Sequence, residues 1–156
     1  MDATSRGILW GQFGASMDML ERAIRECPDS LWDDRARQPE FWYLAYHTLF
    51  FLDLYLSDAT EGFSPPAPFT LAELGFEGVI PDPYTKALLL GYLEHSRGKA
   101  RGRIESLEPE TAGELCRFGW IDLTRLESVL YNMRYVQHHV AHLNLIPHQV
   151  VNQSSR

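Results

Sequence analysis

Residues 41–56 limit the folds open to this chain more than any other stretch. Every position in Phe-Trp-Tyr-Leu-Ala-Tyr-His-Thr-Leu-Phe-Phe-Leu-Asp-Leu-Tyr-Leu is aliphatic or aromatic except His47, Thr48 and Asp53. On a helical wheel Phe41, Ala45, Thr48, Leu52 and Leu56 share one face. Tyr43, Leu44, His47, Phe51 and Leu54 form the next, and Trp42, Tyr46 and Leu49 continue round. A helix that is apolar on nearly every side must be covered on nearly every side. It either lies central among other helices or offers part of its surface to a second subunit. The run is shorter than the ~20 residues needed to cross a bilayer and is broken by His47 and Asp53, so a membrane span is not expected. His47 is expected in a dry setting.

The rest of the chain supplies partners for that helix. Leu9, Phe13, Met17, Leu20 and Ile24 recur at helical spacing and predict a first helix over 6–26. Cys27-Pro28-Asp29-Ser30 ends it, and Trp32 is expected to tuck in behind. Pro39 suits the first turn of the second helix. Residues 59–81 are rich in Gly, Pro, Ser and Thr and predict a long connection with one short turn at 71–74, crossing the end of the bundle as a lip over the site. Asp82 as N-cap and Pro83 in the first turn predict a third helix to about 107. Residues 111–116 read as a single turn and 118–120 as a connection. The Thr124-x-x-Glu127 capping box opens a last helix expected to stop before Pro147. The expectation is one all-α domain over 1–156, a four-helix bundle with a long second connection.

The last helix carries the chemistry. His138 and His142 are four apart, about 40° round a helix and roughly 6 Å along it, so both imidazoles share a face. With His47 they make three candidate ligands for one divalent ion. Neutral imidazole is the commonest nitrogen ligand near neutral pH. Three such ligands leave a coordination position open for water or substrate, the pattern of a catalytic site rather than a closed structural one. An incidental histidine pair is the plainer reading of the spacing alone. His139, turned ~100° from His138, is expected at the rim. His95 and His148 read as solvated. Tyr131 and Tyr135 lie one and two turns earlier on the His138–His142 face, either as core packing or as pocket lining that binds a cofactor or substrate. Arg134 reads as a surface residue or an anion contact. Asp53 and Glu94 read as solvated residues or as carboxylates behind a ligand imidazole.

The net charge of −7 argues against nucleic acid as partner, since phosphate binding needs clustered Lys and Arg. Cys27 and Cys116 stand far apart in no metal or redox spacing, which predicts a reducing, cytoplasmic setting. Residues 1–7 lack the basic start and apolar run of a signal peptide.

The first histidine in Phe41-Trp42-Tyr43-Leu44-Ala45-Tyr46-His47, the His-x-x-x-His of the last helix and the Cys27-Pro28-Asp29-Ser30-Leu31-Trp32 turn together resemble the DinB/YfiT-like metal-binding bundles. That resemblance covers almost the whole chain. It implies an up-up-down-down four-helix bundle, often a homodimer, with zinc or nickel on His47, His138 and His142. Known activities in the family imply a thiol S-transferase or isomerase using a low-molecular-weight thiol and acting on a small molecule; an ion that acidifies bound water would also suit a hydrolase. Leu143-Asn144 departs from the small and polar residues that often follow the family's last histidine. A metal-stabilised binding or stress-response module without turnover, and a plain helical dimer with incidental histidines, are the competing expectations.

Overall fold

The computed structural model describes residues 2–75 and 82–154, with side chains as far as residue 149. The chain is mostly helical: α1 (Ala3–Glu26), the short α2 (Asp29–Trp32), α3 (Phe41–Tyr55), α4 (Lys86–Glu105) and α5 (Arg125–Ser154), with a two-stranded hairpin, β1 (Leu115–Arg117) and β2 (Asp122–Thr124), ahead of α5. The main packing runs α1 on α4 and α5, and α3 on α4 and α5.

α3 is covered as its composition demands. Tyr43 is exposed and His47 and Phe51 are half-buried; every other residue of α3 is buried. Helices α4 and α5 cover two sides, and the loop after α3 covers much of the rest. In that loop Phe63 packs edge-on against Phe50 and Phe69 stacks on Tyr46. The one stripe left partly open is Tyr43, His47 and Phe51, spaced four apart and so aligned along one face.

Several boundaries move from expectation. Pro39 lies outside α3, whose N-cap is Glu40. Thr85, not Asp82, caps α4: its hydroxyl accepts from the amide of Leu88, and helix begins three residues beyond Pro83. α5 continues through Pro147, where proline forgoes the bond its amide would make to the carbonyl four residues back and crowds that carbonyl with its ring. The capping box forms reciprocally, Glu127 N–H to Thr124 Oγ at 3.2 Å and Thr124 N–H to Glu127 Oε2 at 2.8 Å. The hairpin replaces the connection expected at 118–120. Gly119 turns it with φ 84°, a left-handed conformation that glycine adopts without strain. In the long connection the short turn is a 3-10 turn, Ala72–Leu74; residues 76–81 lie outside the described residues. Among the described residues no helix is long and apolar enough to cross a membrane.

Candidate functional site

The open stripe of α3 faces a matching stripe on α5. Tyr131, Tyr135 and His139 are half-buried at successive spacings of four, with Asn132, Val136 and Val140 buried beside them. The His47 ring centre lies 5.3 Å from that of His139 and 6.3 Å from that of Tyr135, and Tyr135 and His139 are 4.4 Å apart. His138 and His142 lie to one side of this column. Both are exposed, with ring centres 4.5 Å apart, and His142 is 6.1 Å from His139. The structure therefore brings His47 to His139, which the sequence placed at the rim. The 40° and 100° offsets fix the histidines relative to one another, but the rotation of α5 against α3 is set by packing of Val129, Val136, Val140 and Leu143 into the core.

A cleft of about 390 Å³ opens between the two stripes. Phe51, Tyr55, Trp120 and Tyr135 form its aromatic wall, and His47 and Glu73 are its titratable lining. Trp120 comes from the hairpin turn and donates its indole N–H to Tyr55 Oη at 3.1 Å. Of the two tyrosines named from sequence, Tyr135 lines this cleft. Tyr131 packs edge-on against Tyr55 and borders a separate surface hollow with Arg134, whose guanidinium lies over the Tyr131 ring.

Glu73 is the residue that sequence reasoning missed. It arrives from the 3-10 turn with its side chain only 5% exposed, and its Oε2 stands 2.6 Å from His47 Nδ1. Among the described residues no Lys or Arg pairs with it. The available signal was a carboxylate in the one turn foreseen within a long loop. Asp53 takes no part here: it is fully buried on the α4 side of α3, held by Lys99 and Tyr92. Glu94 pairs with Arg97 at 3.1 Å on the surface. His95 is 46% exposed, 3.8 Å from Asp53, and His148 is exposed.

Electrostatics favour neutral groups in this seam. Burial first, then the neighbouring His47, His138 and His142, push His139 down to about 4, so its imidazole is uncharged near neutral pH. Burial raises Tyr55 to about 12 and lifts Tyr135 well above the ordinary phenol range. Tyr43 rises to about 12, through burial and then through Glu73. The buried His139 Nδ1 and Tyr135 Oη have no hydrogen-bond partner among the described residues.

The donor set suits a divalent ion in kind, and one pair of it in spacing. With metal–nitrogen bonds of about 2.0–2.1 Å, two imidazoles on one tetrahedral ion have ring centres about 5 Å apart, close to the separation of His47 from His139. The orphaned His139 Nδ1 is either a lone pair without a donor or an N–H without an acceptor. As the side chains stand, however, no three His, Cys, Asp or Glu among the described residues are arranged to hold an ion. No family model matches the chain, and no curated protein matches it.

Proposed function

We propose that this chain is a divalent-metal protein, and a metal-dependent enzyme acting on a small molecule held in the cleft between α3 and α5. The observation that supports it best is the facing of His47 and His139 at 5.3 Å, with a buried carboxylate 2.6 Å from Nδ1 of His47. A carboxylate behind a ligand imidazole is the usual arrangement around protein-bound metals. In this reading His47 and His139 are two ligands and His142, one turn further along α5, is the third. A second reading keeps the set given by spacing, His47, His138 and His142, and is favoured by the 4.5 Å between the last two rings. His142 belongs to both sets.

When bound, zinc or nickel would supply Lewis-acid activation of a water or a low-molecular-weight thiol. The chain's own residues do the rest. Phe51, Trp120 and Tyr135 give an apolar aromatic wall against which a small electrophile lies, and Tyr55 and Tyr135 remain protonated phenols able to donate to it. The resemblance to DinB/YfiT-like four-helix bundles agrees with this reading, including a homodimer and a thiol S-transferase, isomerase or hydrolase type of reaction. Turnover is tested by presenting thiols and electrophiles to protein loaded with zinc or nickel. Metal-dependent conjugation, isomerisation or hydrolysis that His142→Ala abolishes is the expected result. Metal binding without any turnover would leave the binding or stress-response module as the function.

A further inference from the structure

Imidazole has two nitrogens, and only one can face a given partner. In His47 the Nδ1 side is engaged by Glu73 at 2.6 Å, while the ring lies among Tyr43, Phe51, Tyr135 and His139. A carboxylate accepts, so Nδ1 carries a proton, and in the neutral imidazole Nε2 is then the nitrogen with the lone pair. The carboxylate is nearly buried and has no Lys or Arg partner among the described residues, so the imidazole N–H is a main compensation for its desolvation.

The loop that delivers Glu73 is anchored. Four residues earlier Phe69 is buried, stacked on Tyr46 at 5.8 Å and on Tyr92 at 4.4 Å. Beyond Glu73, Leu74 lines the cleft and Gly75, at φ 74°, closes the turn in a left-handed conformation. Glu73 and Leu74 of the connection are therefore part of the site.

We propose that Glu73 is a positioning residue for His47, fixing the Nδ1–H tautomer and the ring orientation so that the Nε2 lone pair is presented to the cleft. The metal consequence rests on the function proposed above; the tautomer does not. The protein for the test is the full untagged chain, compared with Glu73→Ala and with Glu73→Gln, which keeps an acceptor oxygen and nearly the same volume. In the metal-free form, ¹⁵N NMR should show His47 as the Nδ1–H tautomer in the parent. It should show a mixed population in Glu73→Ala, with partial return in Glu73→Gln. Zinc affinity, measured by competition with a chromophoric chelator, should fall by about 10–100-fold in Glu73→Ala. Should the alanine variant fail to fold, the glutamine variant carries both readouts. A parent that binds no zinc overturns the proposed function while the tautomer still decides the role of Glu73. An unchanged His47 tautomer in both variants overturns the positioning role, as does unchanged zinc affinity alongside a zinc-binding parent.

Discussion

Helix α3 carries a carboxylate and an imidazole into an apolar interior, and they are treated in opposite ways. Asp53, facing α4, is fully buried and fully answered. Lys99 Nζ donates to its Oδ1 at 2.6 Å, to its carbonyl at 3.0 Å and to Ser57 Oγ at 2.9 Å, and Tyr92 donates to Oδ2 at 3.0 Å. His47, facing α5, sits in a seam that stays partly open, beside a histidine nitrogen and a tyrosine hydroxyl with no partner among the described residues. A satisfied buried network holds a packing arrangement in place; an incompletely satisfied one beside a cleft is poised for a ligand. The two sites lie six residues apart on one helix: the first is closed by its own partners, and the second is where binding is proposed.

Lys99→Met should break the first site most severely. It leaves the Asp53 carboxylate buried without its cation and should cost about 3–5 kcal/mol in urea denaturation, with zinc binding per folded molecule unchanged. Tyr92→Phe removes one donor to the same carboxylate and should cost about 1–3 kcal/mol. A loss of metal affinity in either variant would mean that the two sites are coupled through α3. At the second site the pattern should invert. His142 is exposed, so His142→Ala should shift metal-free stability by no more than about 0.5 kcal/mol, while abolishing the rise in melting temperature that zinc produces in the parent. His139→Ala and His138→Ala then sharpen the comparison: the variant that also loses the zinc-induced rise identifies the remaining α5 ligand.

The smallest effect is expected on acidification, at the base of the hairpin. Partial burial pushes the Asp58 carboxyl up, but the hydrogen bond from Arg103 and the charges of Arg103 and Arg125 outweigh it and hold the group below its ordinary value. Its folded pKa is depressed, so its contribution is complete above the unfolded value of about 3.9 and is lost as pH falls through the folded one. Asp58→Asn should remove that part of the acid dependence, as read from denaturation midpoints between neutral pH and pH 3. Retention of the full dependence would show that Asp58 is not the group.

What was legible in the sequence is what depends on near neighbours or on period. The Thr124–Glu127 capping box, the all-round burial of α3 and the core positions Phe13, Met17, Leu20 and Ile24 follow from spacings of three and four. The hairpin was not legible, because strands of three residues are too short to show an alternating pattern. Neither was the partner of His47: His138, His139 and His142 are all within one turn, and choosing among them needs the rotation of α5, a tertiary quantity. Glu73 reaches His47 from 26 residues away by a loop whose path depends on where Phe63 and Phe69 are buried.

The most direct measurement is elemental analysis of the untagged protein, purified without chelator or added metal, beside His47→Ala. The account predicts about one divalent ion per chain in the parent and near-complete loss in the variant. A parent that carries no divalent metal and takes up none when zinc or nickel is supplied, or an ion retained at full occupancy in His47→Ala, would contradict it.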